Sequence, residues 1–256
     1  MYVDALFDRD KDRIYVVERN SEGKREYKDF AAKYVFYYDD AKGKHKSIYG
    51  NPVSRIQCRT MRDFRKELKL NNTVKQYESD INPVFRCLEE NYLGQDAPQL
   101  QTAFFDIETD FDKERGFSPP EDPFNPVTAI SIYLQWMEQM ITLCVKPKGT
   151  TKEDATLICN KFENTILCET EAEMLDAFLD VIDDADILSG WNSEGYDIPY
   201  LVNRVKRVLS KDDTRRFCLW NQYPKKRTFE RFGAENITFD TIGRVHMDYM
   251  QLYRKY

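Results

Sequence analysis

The sequence predicts an α/β protein in two parts, an α+β first domain followed by a domain built on a mixed sheet. Three observations carry this. Residues 1–99 run in short aromatic–polar alternations, RIYVVERN, AKYVFYYDD and KHKSIYG, broken by turn chemistry such as DDAKGK, the pattern of half-buried strands. A polar stretch, GQDAPQLQ, then reads as a linker and places a domain boundary near residue 100. Beyond it, short apolar runs alternate with helical patterns, the rhythm of a mixed sheet covered on both faces.

The elements follow in order. TMRDFRKELKL predicts a helix opening at Thr60, with Asp63 three residues on. In NPVFRCLEENYLG, Asn82 is the expected N-cap, Pro83 takes the first helical position and Gly94 supplies the stop,. Past the linker, AFFDIE is a short apolar strand ending in acids, and VTAISIYLQW and QMITLCVKP are two further strands. TTKEDATLICNKF and TEAEMLDAFLDVIDD predict helices with capping boxes, Thr150 with Glu153 and Thr170 with Glu173,. Met174, Leu175, Phe178, Leu179 and Ile182 fall on one helical stripe, which is core packing,. DILSGW predicts a buried strand, and DIPYLVNRVKRVLS a helix leaving it with basic residues on its exposed side.

Composition narrows the class. At 256 residues, with 32% charged and 41% hydrophobic side chains, the chain is long enough for two ordinary domains and has the balance of a soluble globular protein,. No apolar run reaches the ~18 residues of a membrane span, and MYVDALFDRDKDR lacks the apolar stretch of an export signal,. A cytoplasmic location is therefore expected. Cys58, Cys87, Cys144, Cys159, Cys168 and Cys218 form no C-x-x-C pair, and His45 and His246 are the two histidines, so no zinc pattern is present,. A net charge of −6 argues against indiscriminate coating of nucleic acid but leaves room for a local basic groove,.

The acids near residue 106 raise a chemical question. On a strand, residues i and i+2 share a face, so Asp106 and Glu108 project together,. Two carboxylates at the end of an apolar strand repel each other unless a cation lies between them, and magnesium and manganese favour oxygen ligands. Alone, Asp-x-Glu more often marks a solvated strand end. Asp197 alters the balance, because SGWNSEGYD places it where a strand stops and a helix begins, facing the same sheet edge. Its other reading is a helix N-cap. Asn192 adds an amide that can bond a carboxylate or a nucleotide, and Tyr196 an aromatic face.

FFDIET and GWNSEGYDIPYL resemble the first and second exonuclease motifs in the proofreading domain of family B DNA polymerases, in the branch of the T4-like bacteriophages. The resemblance spans the whole chain, with residues 1–99 similar to the N-terminal domain of those enzymes and residues 100–256 to their exonuclease domain. It implies a ribonuclease H-like fold and two-metal 3′→5′ hydrolysis of DNA, with Mg²⁺ or Mn²⁺ as the ions. By this resemblance Asp106 bridges both ions and Glu108 helps hold the one that activates water. Asp197 anchors the ion at the departing 3′ oxygen, Asn192 positions the terminal nucleotide, and Tyr196 stands where the family usually has Phe. RTFERFGAENITFD reads as a hairpin turning around Gly233–Asn236, where the phage enzymes carry one that helps move a mismatched primer end. Asp248, in GRVHMDYMQLYRKY, reads as structural.

By the resemblance, the family's third motif, Tyr-x-x-x-Asp on a later helix, supplies a fourth carboxylate and a tyrosine that orients the water; towards the end of the sequence neither Tyr249 nor Tyr253 fits it, and no DTDS-like polymerase acid pair occurs. The expectation is an N-terminal fragment or split subunit of a phage-type replicative polymerase, with negligible exonuclease activity by itself. Expected partners are single-stranded 3′ ends, primer–template DNA, a C-terminal polymerase portion or chain and, through it, the sliding clamp. The competing reading is a non-catalytic nucleic-acid-binding or assembly subunit. RVKRVLSK, TRRF and PKKRTFER are candidate linings of a single-strand path,.

Overall fold

The computed structural model describes residues 1–231 and 233–255. The chain divides into two compact units, Met1–Gln99 and Leu100–Tyr256.

In the first unit, β1 (Tyr2–Asp8), β2 (Arg13–Arg19) and β3 (Arg25–Ala31) form an antiparallel meander. A second antiparallel sheet contains β4 (Tyr34–Asp39), β5 (His45–Lys46), β6 (Pro52–Cys58) and β7 (Gln76–Tyr77), in the order β5-β6-β4-β7. Two helices join them, α1 (Met61–Leu70) and α2 (Pro83–Tyr92). Their caps are the expected ones: Thr60 Oγ1 accepts from the Asp63 N–H at 3.1 Å, and Asn82 Oδ1 from the Val84 N–H at 3.0 Å. Ile14, Val16, Tyr34, Phe36, Phe64 and Tyr92 meet in the core. KHKSIYG is a strand over His45–Lys46 alone. Ser47 then opens a turn, its carbonyl accepting from the Gly50 N–H at 2.9 Å.

In the second unit, β8 (Thr102–Thr109), β9 (Val127–Leu134), β10 (Gln139–Val145), β11 (Thr165–Cys168), β12 (Ile187–Gly190) and β15 (Val245–Asp248) form one mixed sheet; β13 (Lys225–Arg231) and β14 (Ala234–Asp240) are the hairpin. The sheet order is β11-β10-β9-β8-β12-β15. β8 pairs antiparallel with β9 and parallel with β12, which pairs parallel with β15, so the ends of three parallel strands lie side by side. The helices are α3 (Lys152–Cys159), α4 (Glu171–Val181), α5 (Asp197–Val208) and α6 (Tyr249–Lys255).

Period-two alternation fixes β8. Ala103, Phe105 and Ile107 are buried against α4 and α5, whereas Phe104, Asp106 and Glu108 face outward. The α4 stripe closes the core beneath, with Met174, Leu175, Phe178, Leu179 and Ile182 all fully buried. The other face of the sheet is open at β8–β10, where Phe104 is 37% and Met140 52% exposed. Helical cover on both faces, expected from the alternation of elements, is thus not found there among the described residues.

Three further expectations are corrected locally. The cap of α3 is Thr151, whose Oγ1 accepts from the Asp154 N–H at 3.1 Å, not Thr150 with Glu153. Arg204 does not lie on the exposed side of α5; its guanidinium is buried in a forked pair with Glu171, both contacts at 2.6 Å. In the hairpin Asn236 pairs with Phe229 inside the ladder, so the tip lies between Arg231 and Ala234, with Phe232 outside the described residues.

Because Phe178 has no exposed surface and touches both Phe105 and Phe217, Phe178→Ala is expected to lower stability by about 3–5 kcal/mol in urea unfolding. Phe104→Ala, on the open face, is expected to change it by about 0.5 kcal/mol or less. Equal losses for the two would contradict the assignment of buried and open faces.

Candidate active site

Strand β8 presents Asp106 and Glu108 side by side on the open face. Asp197 arrives from the adjacent strand's far end. β12 stops at Gly190, the chain turns through residues 191–196, and α5 begins at Asp197. A side chain at 190 could not be accommodated, because a Cβ there would lie 2.6 Å from the Phe105 carbonyl oxygen and 3.0 Å from the Ser193 Cβ. The turn is bonded to itself and to its surroundings. The Asn192 carbonyl accepts from the N–H groups of Gly195 and Tyr196 at 3.0 and 3.1 Å. Asn192 itself is left-handed, with φ +58°, a conformation that asparagine tolerates better than most residues,.

The Asp197 carboxylate is not the N-cap of α5. It is 4% exposed and accepts from the Ile107 N–H of β8 at 3.3 Å, which ties the head of the helix to the strand carrying the other two acids. Burial pushes its pKa up to about 7, and the charges of Asp106 and Asp248 add to the rise, while its own N–H and that of Ile107 oppose it.

Asp248 takes a larger part than the sequence suggested. Its Oδ1 accepts from the N–H groups of Asn192 and Met250, both at 3.0 Å, so it fixes the turn and the start of α6 together. Its Oδ2 is buried and has no hydrogen-bond partner among the described residues. Tyr196 packs on Tyr200 with ring centroids 5.3 Å apart, and its hydroxyl reaches within 3.5 Å of Thr109 Oγ1 at the end of β8. Glu194, inside the same turn, is held by Arg227 of the hairpin and Gln251 of α6. Nothing in the linear sequence pairs Glu194 with residues so far along the chain.

Asp106 and Asp248 thus both bear electrostatically on Asp197, and Glu108 shares the face of Asp106. Among the described residues, no three His, Cys, Asp or Glu side chains gather closely enough to hold a metal ion.

Residues 51–256 match the family described as DNA polymerase family B, exonuclease domain. The chain belongs to that family. It is 24% identical to the DNA-directed DNA polymerase of Escherichia phage RB69 over 99% of this chain, and 24% identical to that of Enterobacteria phage T4 over 94%. It is 34% identical to the DNA polymerase delta catalytic subunit of Plasmodium falciparum over 72% of this chain. The matches cover 30%, 29% and 18% of those relatives, so the family B chain described here spans less than a third of their length. No helix among its described residues is long and apolar enough to cross a membrane.

The raised Asp197 pKa sets a pH dependence. Folded, the carboxyl titrates near 7 against its ordinary 3.8. Between those values the native state keeps a proton that the unfolded state has released, so stability falls as pH rises through that window. Metal-free unfolding of the wild type between about pH 4 and pH 8 should show this fall, and Asp197→Asn should flatten it. An equal fall in both would remove Asp197 as its source.

Proposed function

We propose that the chain is the N-terminal and exonuclease portion of a phage-type replicative DNA polymerase, and that its second unit hydrolyses the 3′-terminal phosphodiester of single-stranded DNA. Asp106, Glu108 and Asp197 are the metal-holding and catalytic residues of this reading; Asn192 and Tyr196 place the terminal nucleotide. The observation that carries it is the junction of β8 and α5. There, the strand that carries two outward carboxylates also supplies, through the Ile107 N–H between them, the backbone donor of a buried third.

The donor set fits divalent cations. It consists of carboxylate oxygens, the ligands that Mg²⁺ and Mn²⁺ prefer, and burial, with the charge of Asp106 adding to it, already holds Asp197 toward its protonated form. When bound, two such ions supply Lewis-acid polarisation of the phosphoryl oxygens and water activation near neutral pH. The chain's own residues do the rest. Asp197 is positioned by the Ile107 N–H, the turn holding Asn192 by Asp248, and the Tyr196 ring by Tyr200.

The family pattern has four carboxylates and this sequence matches three of them, with no three acids of the described structure gathered on one point. We therefore expect slow or undetectable hydrolysis by the chain alone. Loss of a ligand and of the water-orienting tyrosine is worth several kcal/mol, hence orders of magnitude in rate. The same observation favours, as a second reading, a chain that serves a separate polymerase portion by binding and assembly without catalysis of its own.

The test is release of 3′-terminal nucleotides from end-labelled single-stranded DNA with Mg²⁺ or Mn²⁺, with and without the C-terminal portion of a phage-type polymerase supplied in trans. A metal-dependent gain on adding that portion is expected, and Asp106→Ala, Glu108→Ala should abolish it. A gain that survives the double substitution would contradict the site. No gain at all, with assembly demonstrated, would favour the non-catalytic reading.

A further inference from the structure

The basic segments of the second unit separate into two groups. Four of their arginines are committed to the fold: Arg204 to Glu171, Arg207 to Asp122 and the Pro123 carbonyl, Arg216 to Asp176 and Asp180, and Arg227 to Glu194 and Asp240. Three lysines behave differently. Lys206 of α5, Lys211 just beyond it and Lys226 of β13 come from separate elements and line one cavity of about 270 Å³. None of the three makes an ion pair among the described residues, a trait they share with most of the chain's lysines; what sets them apart is that they meet in one cavity.

The cavity is shaped for more than a solvated ammonium cluster. Val202 and Phe239 supply apolar lining, and Tyr223 supplies a wall. The Tyr223 hydroxyl donates to Asp212 at 2.5 Å, and its ring carries Lys211 at 4.9 Å and Arg215 at 3.8 Å from the centroid. That ring therefore gathers positive charge at the cavity, and Asp212, beside it, is occupied by Tyr223 and Arg215. Glu121, exposed, is the one acid in the lining. In a chain of net charge −6, three lysines lining one concavity concentrate positive potential there,.

We propose that this cavity binds backbone phosphates of a single-stranded nucleic acid whose 3′ end lies at the carboxylates. Helix α5 connects the two places. It begins at Asp197, and Lys206 stands on its last turns, about 14 Å further along the axis at ~1.5 Å per residue,. Lysine, a flexible point charge, suits sequence-independent phosphate contact, and the carboxylate end needs such a contact because its own charge repels DNA. The inference rests on the reading of this unit as a single-strand nuclease, and it adds where the strand is held away from the reacting bond.

The test measures binding and not cleavage. In the full chain carrying Asp106→Ala and Glu108→Ala, without divalent metal, the affinity for a fluorescent oligo(dT) long enough to span both places is followed by anisotropy against salt. Adding Lys206→Gln with Lys226→Gln, both exposed positions, should weaken binding on the order of tenfold and reduce the slope of log K against log salt by about 0.7 per lost contact. Lys152→Gln, whose lysine pairs with Glu169 elsewhere, should leave both nearly unchanged. Pyrophosphate serves as the small-anion arm. If it binds and depends on these lysines while oligo(dT) does not, the strand assignment is overturned. It is equally overturned if the double lysine substitution leaves affinity and slope at the parent values, or if the parent does not bind oligo(dT) at all. Failure of the carboxylates to cleave is read separately in the nucleotide-release assay and does not enter this measurement, which is made with two of them removed.

Discussion

One hydrogen bond organises the site: the Ile107 N–H of β8 to the buried carboxylate of Asp197 at the head of α5. A carboxylate at 4% exposure is costly to keep charged,. This one is kept where the charges of Asp106 and Asp248 raise the cost further. Such an arrangement destabilises the fold at neutral pH in the absence of a cation, and a protein that retains it for stability alone has no reason to do so. The constraint also fixes geometry, because the donor that holds Asp197 belongs to the residue between Asp106 and Glu108. Moving the helix moves the third acid relative to the first two.

The turn before α5 is supported from three directions. Gly190 allows the chain to pass the Phe105 carbonyl, Asp248 holds the Asn192 N–H from the neighbouring strand, and Arg227 reaches Glu194 from the hairpin. The hairpin, α6 and the parallel strands therefore converge on one short loop. A shift of the hairpin has a direct mechanical route, through Arg227 and Glu194, to the loop that carries Asn192 and Tyr196.

Much of this was legible in the sequence, for identifiable reasons. Period-two alternation assigned the faces of β8, and the 3.6-residue period assigned the stripe of α4, because each is a strong local signal backed by burial. The caps at Thr60, Asn82 and Thr170 are local too. At the start of α3, two consecutive threonines offered the same chemistry, and the backbone path selected Thr151 over Thr150. The strands not predicted are β1, β3, β6, β7 and β11; of these β3, REYKDFA, is largely exposed, and β7 and β11 have only two and four residues. Long-range electrostatics were illegible. RVKRVLSK reads as uniformly basic, yet Arg204 is consumed by Glu171 whereas Lys206 stays unpaired in a cavity. In the sequence Asp248 reads as structural, and its hold on the Asn192 turn depends on β15 lying beside β12, a pairing with no local signal.

Calorimetric titration of the metal-free chain with Mn²⁺ at about pH 6.5, in two buffers of different ionisation enthalpy, addresses the central claim most directly. If the buried Asp197 carboxyl belongs to a metal site, binding is saturable and releases protons, seen as a buffer-dependent enthalpy, and Asp197→Asn loses that proton release. Absence of Mn²⁺ binding, or binding whose proton release is the same in Asp197→Asn, would contradict the account.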